Sequence, residues 1–182
     1  ERALDRLARL GRPVIAVGIP NAGVGRIHEY SPSRDRRYGG GGGEAYLDWL
    51  TERVQPLVER SFRVARGAES TGIAGASMGG LISLHAYCRH RQSFGLVGAM
   101  SPSLFFADEE LTRRIGRHPP AAGRVYLDIG TLEGRRKRGA IADDIEETLS
   151  TARGSTRAPG VDAYRQSRPP AASRPGPAQL NR

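Results

Sequence analysis

Short apolar runs alternate with segments of helical periodicity along most of this sequence, and that alternation limits the folds open to the chain. The runs are continuously apolar and rich in β-branched residues, which is typical of strands buried on both faces of a sheet. The predicted strands are Pro13–Ile19, Thr71–Ser77, Phe94–Ser101, Arg124–Gly130 and the start of a fifth at Gly160–Gln166. Strands separated by helices predict an α/β fold with a mainly parallel sheet and helices on both faces.

The segments between these runs carry the spacing of amphipathic helices. Helices are predicted over Glu1–Leu10, Gly43–Phe62, Met78–His90, Phe106–His118 and Ala140–Ala152. Pro56 is expected to bend or interrupt the second of them, because proline lacks the N–H that a helix interior needs. A loop over residues 20–43 ends in five consecutive glycines, a low-complexity stretch that predicts a mobile connection.

The pattern of alternating elements stops near residue 165. Residues 167–182 contain four prolines, no periodicity and little apolar content, which predicts a disordered tail. We therefore predict one incomplete α/β domain over residues 1–165, followed by a disordered Arg/Pro/Ala-rich tail over residues 166–182. The sequence leaves the oligomeric state open.

Charge and composition exclude several classes of function. The formal net charge is +9, but the arginines are scattered, and the one dense basic run, at residues 134–139, lies in a predicted loop. This distribution predicts no specific nucleic-acid site, which would cluster basic residues with aromatic ones on one face. Because no apolar run approaches the length of a membrane span, we expect no membrane association. The charged N-terminal segment lacks the apolar core and cleavage site of a secretion signal, so a cytoplasmic protein is expected.

A single cysteine, Cys88, excludes an internal disulfide and any cysteine-based metal site. It falls on a predicted helix, where it is interpreted as a small packed apolar group. The sequence predicts no cofactor and no metal ion.

The stretch Gly75-Ala76-Ser77-Met78-Gly79 carries the strongest chemical signal. The G-x-S-x-G pattern builds a tight turn that raises a serine nucleophile between a strand and a helix, with glycines where side chains would collide. The apolar strand before Ser77 and the periodic helix after it supply the context that this turn requires. The backbone N–H of Met78 is then the predicted donor to the oxyanion of a tetrahedral intermediate. The alternative is a glycine hinge that only packs a helix against a strand.

A serine nucleophile needs a base and an acid that orients the base. In this sheet architecture, the acid and then a histidine follow the serine along the chain. Glu133, just beyond the fourth strand, is the predicted acid, and Asp128, within that strand, is the second candidate. The alternative to a catalytic role for Glu133 is that of a solvated loop carboxylate, neutralised by the basic run that follows it.

No histidine stands where the base is expected. The chain has four histidines, at positions 28, 85, 90 and 118, and none follows the last predicted strand. His85 is eight residues after Ser77 on the same predicted helix, about 12 Å along its axis. All four are interpreted as surface or packing histidines.

Three segments together resemble one family of α/β-hydrolases, the putative-esterase family of siderophore, feruloyl and acetylxylan esterases, S-formylglutathione hydrolases and mycolyltransferases. The resemblance runs from about residue 3 to about residue 165. It is carried by residues 17–33, with Arg26, Glu29 and Tyr30, by residues 72–106, and by residues 125–134. It implies Ser77 as the nucleophile and Glu133 as the acid.

The resemblance also implies two features that this chain lacks. Family members begin with earlier strands, one of which ends in a loop that supplies a second oxyanion N–H, and they carry a histidine after the last strand. We interpret the chain as shortened at its N-terminus and altered at its C-terminus. The expected function is hydrolysis of small-molecule carboxylic esters through an acyl-enzyme. The alternative is a catalytically inactive or shortened esterase-like domain with a structural or binding role.

Overall fold

A computed structural model of the chain describes residues 2–117, 123–129 and 161–163. The described helices are α1 (Arg2–Arg9), α2 (Arg26–Tyr30), α3 (Gly43–Trp49), α4 (Gln55–Ser61), α5 (Met78–Arg89) and α6 (Phe106–Arg117). The described strands are β1 (Arg34–Asp35), β2 (Gly39–Gly40), β3 (Gly72–Ala76), β4 (Leu96–Met100), β5 (Arg124–Asp128) and β6 (Val161–Ala163). The predicted helix over residues 140–152, the predicted tail and Glu133 lie outside the described residues.

The central sheet is parallel and follows the order β3-β4-β5-β6. Its register aligns Ile73 with Val97 and Val125 on one face, and these side chains pack against α5 and α6 in a buried core. A second cluster, between α5 and the preceding helical segment, is centred on Leu47 and Ile82. Four predicted strands and the parallel order are therefore confirmed.

The described helices that form the two clusters pack on the face of the sheet that carries Val97 and Val125. On the opposite face, Met100 and Tyr126 are each more than a third exposed. The second layer of helices, on that face, stays a prediction.

Residues 13–19 differ most from the sequence prediction. The segment is not a strand, and no backbone hydrogen bond between described residues involves it. Val14, Ile15 and Val17 are all exposed. A β-branched apolar run forms a strand only beside a partner edge, and no described strand lies next to this one. The strand predicted here is therefore wrong for the described structure.

The helical segment after Gly42 is interrupted as predicted. A π-helical stretch, Leu50–Val54, separates α3 from α4, and Pro56 lies in the first turn of α4. Because Pro56 has no N–H to donate, the turn before it widens and the helix continues in a new register. Another predicted helix is irregular: Ala107, Asp108 and Glu109 at the start of α6 have positive φ values between 51° and 63°.

The glycine run is held by contacts and is not a featureless linker. The buried Ser31 hydroxyl accepts a hydrogen bond from the Gly41 N–H at 2.8 Å and donates one to the Ile27 carbonyl at 2.6 Å. Gly40 has a φ of 97°, and a Cβ there would collide with the Ser31 hydroxyl. The polar side chain of Ser31 thus fixes a stretch whose composition alone predicts mobility.

Candidate active site

Ser77 lies at the junction of β3 and α5, in the position that the sequence predicts for a nucleophile. Its backbone has a φ of 57° and a ψ of −117°, a conformation that non-glycine residues rarely adopt. The surroundings hold it there: its N–H donates to the Met100 carbonyl at 3.0 Å, and its own carbonyl accepts the Leu81 N–H at 3.0 Å. The side chain itself is exposed.

The glycines around Ser77 serve different purposes. A Cβ on Gly75 would lie 2.6 Å from the carbonyl carbon of Gly79, so β3 and α5 can approach this closely only because residue 75 has no side chain. A Cβ on Gly80 would lie 3.0 Å from the Pro102 Cβ. A Cβ on Gly79, by contrast, would meet nothing within 4 Å. The sequence-based expectation that a side chain would collide is therefore confirmed at Gly75, and it is wrong at Gly79.

The first turn of α5 supplies backbone N–H groups beside Ser77. Met78 begins this helix of 12 residues, and its side chain is buried in the core. The first N–H groups of a helix have no acceptor within the helix and carry partial positive charge. The predicted oxyanion donor is thus the first residue of the helix, directly after Ser77.

Ser103 is the closest side-chain partner of Ser77. The two Oγ atoms are 3.1 Å apart, and the Ser103 N–H donates to the Ser77 carbonyl at 3.1 Å. Ser103 is buried, in the loop after β4. Sequence reasoning did not assign it a role, although loops that follow adjacent parallel strands meet at one edge of a sheet.

A pocket of about 400 Å³ opens beside Ser77. Its lining comes from the end of β3, the loop after β4 and the residue after β5: Ala76, Ser77, Met100, Ser101, Pro102, Ser103, Phe105 and Ile129. The neighbouring phenylalanines differ, because Phe105 lines this pocket whereas Phe106 is buried in the core. The loop after β4 therefore supplies most of the border of this pocket.

Asp128, the second candidate for the acid, holds the pocket loop. One of its carboxylate oxygens accepts the Ser101 N–H at 3.0 Å, and the other accepts the Tyr126 hydroxyl at 3.0 Å. Ser101 has a φ of 41°, so the carboxylate anchors a strained residue. Asp128 therefore has a structural role, because it holds Ser101, a residue that lines the pocket. Glu133 lies outside the described residues, and its assignment stays a prediction.

No histidine lines the pocket within the described part of the chain. His85 is only 1% exposed, and its Nε2 lies 2.8 Å from Glu44 while its Nδ1 contacts Arg114. Burial and, to a smaller extent, the adjacent Arg114 charge lower the pKa of His85 to about 4, so the ring is neutral at pH 7. His90 contacts the other Glu44 oxygen at 3.0 Å. These two are packing histidines, as predicted.

Other possible sites are limited. Cys88 is partly buried against the core, and burial raises its pKa to about 11, which leaves the thiol protonated and unreactive. Within the described ranges, no group of three or more His, Cys, Asp or Glu side chains is placed to bind a metal ion. None of the helices described is both long enough and apolar enough to cross a bilayer.

Residues 1–169 match the sequence model of the family described as Putative esterase. The chain belongs to the putative-esterase family. This esterase-family chain is 37% identical over 129 residues to the uncharacterized protein YbbA of Bacillus subtilis, a match covering 68% of this chain and 52% of YbbA. It is 32% identical over 103 residues to the siderophore triacetylfusarinine C esterase of Aspergillus fumigatus, covering 53% of this chain and 35% of that protein.

The fold of this esterase-family chain is also similar to a solved structure. The BES protein of Bacillus cereus superimposes with a TM-score of 0.66 at 18% identity, and the match covers 89% of this chain and 65% of BES. The fold is accordingly that of an α/β-hydrolase. The chain spans about half of YbbA and about a third of the Aspergillus esterase.

Proposed function

We propose that Ser77 is the nucleophile of a serine esterase that acts on carboxylic esters through an acyl-enzyme. The observation that carries this proposal is the strained, exposed serine at the junction of β3 and α5, facing a pocket of about 400 Å³. Strain of this kind costs about 1–3 kcal/mol and persists where the surrounding structure holds it, often at functional sites. A turn that served only as a glycine hinge would need neither an exposed hydroxyl at this position nor a serine with a positive φ.

In the proposed reaction, the Ser77 Oγ attacks the ester carbonyl and the C–O bond to the alcohol then breaks. The carbonyl oxygen becomes negatively charged, and the Met78 N–H at the start of α5 stabilises it. The proton of Ser77 passes to a base and then to the leaving alcohol. Water hydrolyses the acyl-Ser77 ester in the second half of the reaction.

Among the described residues that line the pocket, no side chain can act as the base in this scheme. Ser103 lies within hydrogen-bond distance of the Ser77 Oγ, but a neutral hydroxyl is far too weak a base to accept its proton. His85 is engaged by Glu44 and Arg114 inside the core. Glu133 remains the proposed acid. We therefore propose that residues 1–182 on their own react only slowly.

The substrate class follows from the family and from one named relative. The triacetylfusarinine C esterase makes siderophore esters the first natural substrates to test, after a simple activated ester. A second candidate function is a non-catalytic esterase-like domain. It is favoured by the lack of a histidine among the described residues that line the pocket.

Labelling with a fluorophosphonate probe distinguishes these functions. We expect slow labelling of residues 1–182 at Ser77, located by peptide mass spectrometry, and hydrolysis of p-nitrophenyl acetate barely above background. Added imidazole should accelerate both reactions, because it supplies an external base. Ser77→Ala should remove the label and the acceleration, whereas the matched control Ser70→Ala, outside the pocket by Ser77, should keep them.

Two results would contradict the esterase proposal. One is labelling spread over several serines and unaffected by Ser77→Ala. The other is a folded chain that remains unlabelled at saturating imidazole, which would favour the non-catalytic function. Turnover at ordinary enzyme rates that disappears in Ser77→Ala would support the nucleophile and contradict the expected slow reaction.

A further inference from the structure

Ser103 contacts the proposed nucleophile through both its backbone and its side chain. Its N–H donates to the Ser77 carbonyl at 3.1 Å, and its Oγ lies 3.1 Å from the Ser77 Oγ. Ser103 is only 6% exposed, whereas Ser77 is exposed. The two hydroxyls therefore differ in access, because protein encloses that of Ser103 while that of Ser77 is open to a substrate.

The loop that carries Ser103 is held on both sides of it. Before it, the Ser101 N–H donates to the Asp128 carbonyl at 2.9 Å and to the Asp128 carboxylate at 3.0 Å. After it, the N–H of Phe106 donates to the Ser103 carbonyl at 3.1 Å, and the Phe106 side chain is buried in the core. Because the backbone is fixed on either side, the Ser103 hydroxyl keeps its place against the Ser77 Oγ.

The reaction itself decides which of the two hydroxyls donates. A buried hydroxyl needs a hydrogen-bond partner, and among the described residues the Ser103 hydroxyl bonds only with the Ser77 Oγ. Each hydroxyl has one proton to donate, and either oxygen can be the donor before the reaction. When Ser77 attacks, its own proton passes to the base. From then on the Ser77 Oγ can only accept, and Ser103 is the donor.

We propose that Ser103 is a positioning residue, whose hydroxyl donates a hydrogen bond to the Ser77 Oγ while negative charge develops on that oxygen. The inference rests on the proposed role of Ser77 as the nucleophile. Ser103 keeps its proton and forms no covalent bond. Its hydrogen bond favours the charged form of the Ser77 oxygen, and burial strengthens this bond because water competes less for it. The same bond assists the second half of the reaction, in which the Ser77 oxygen leaves the acyl group.

A thiol at position 77 measures this hydrogen bond without any ester chemistry. All variants for this measurement carry Ser77→Cys together with Cys88→Ala, so that the chain has one thiol. The pKa of the introduced thiol is the midpoint of the pH dependence of its alkylation by iodoacetamide. We expect Ser103→Ala to raise that pKa by about one pH unit, because the thiolate loses a donor.

The labelling reaction of Ser77 supplies a second measurement. At a fixed concentration of imidazole, Ser103→Ala should react with the fluorophosphonate probe about tenfold more slowly than the unchanged chain. Alanine keeps the N–H that donates to the Ser77 carbonyl, so this variant removes the hydroxyl alone. Ser103→Thr keeps a hydroxyl and should restore most of the rate. Ser103→Val has nearly the shape of threonine without the hydroxyl and should be as slow as Ser103→Ala.

Ser83→Ala is the matched control for both measurements. Ser83 is also buried, and its hydroxyl donates to the Gly79 carbonyl at 2.7 Å within α5. Its substitution therefore also removes a buried hydrogen bond, but one that does not reach the Ser77 Oγ. We expect the thiol pKa and the labelling rate to stay unchanged in Ser83→Ala. Circular dichroism confirms that each variant is folded.

Two outcomes would overturn the proposal. One is a thiol pKa that Ser103→Ala leaves unchanged, or that Ser83→Ala raises equally, because Ser103 would then have only a structural role. The other is faster labelling in Ser103→Ala, because Ser103 would then restrain Ser77 by accepting its proton in a hydrogen bond. The esterase proposal fails separately: a thiol pKa that rises as expected, in a chain whose Ser77 is never labelled, would support the hydrogen bond and contradict the esterase function.

Discussion

Gly75→Ala should lower the free energy of unfolding by about 3 kcal/mol, although it adds a single methyl group. The added carbon would lie 2.6 Å from the carbonyl carbon of Gly79 and 2.9 Å from its Cα. Both are backbone atoms, so no flexible side chain can move aside, and β3 and α5 must separate. We expect Ser77 to lose its backbone conformation at the same time. Urea unfolding followed by circular dichroism measures the loss.

Gly79→Ala is the matched control for that prediction. It adds the same methyl group four residues later, where nothing lies within 4 Å. Alanine also has a higher helix propensity than glycine, so stability should be unchanged or rise by up to about 1 kcal/mol. Equal destabilisation by the two substitutions would contradict the close approach of β3 and α5.

Acidification should destabilise the chain through His85 before it protonates most carboxylates. The pKa of His85 in the folded chain is about 4, below its usual value, so the unfolded chain binds a proton first as the pH falls. The contribution of neutral His85 to the free energy of unfolding is therefore fully present above about pH 6.5. It decreases between about pH 6.5 and 4, and the total loss is about 3 kcal/mol.

The groups around His85 set the range of pH in which this effect can be isolated. Glu44 contacts His85 and His90, and Arg89 lies 3.6 Å from Glu44, while Arg114 contacts the other ring nitrogen of His85. Burial alone would raise the pKa of Glu44, but its hydrogen bonds to the two histidines and their charges lower it overall. Its protonation therefore destabilises the fold only at more acidic pH. Between pH 7 and 5, a comparison with His85→Gln isolates the contribution of His85.

Urea unfolding at pH 7 and pH 5 tests this prediction. His85→Gln removes the titrating ring, so its stability should vary less between the two pH values, whatever its stability at pH 7. His28→Gln, at an exposed position, should keep the pH dependence of the unchanged chain. An NMR titration in which the His85 ring protonates near pH 6.5 in the folded chain would refute the assignment.

Local patterns in the sequence predict the parts of the fold that depend on neighbouring residues. The strand at residues 72–76, the helix that follows it and the exposed Ser77 between them all follow from one short stretch. The interruption near Pro56 is also local, because it depends on a missing N–H. In these cases the physical cause lies within a few residues of its effect.

The structure differs from the sequence-based prediction where a residue's conformation depends on contacts with residues that are distant in the sequence. Residues 13–19 have the composition of a strand, but a strand also needs a partner edge, which composition does not specify. Ser103 reaches Ser77 across 26 positions, and Glu44 reaches His85 across 41. The glycine run is fixed by the hydroxyl of Ser31, one polar atom that no periodicity reveals. Such contacts require the three-dimensional path of the chain.

The parallel order of the sheet has a consequence for how fast the chain folds. Gly72 pairs with Leu96, Leu96 with Arg124, and Val125 with Val161, so every pairing joins segments separated by more than twenty residues. Each intervening loop must close, at a cost in entropy, before the strands gain their hydrogen bonds. The unit β3-α5-β4 has the shortest such loop and is the expected folding nucleus. During synthesis, the strand before Ser77 emerges from the ribosome before its partner, so the nascent chain needs protection from aggregation until residue 100 has emerged.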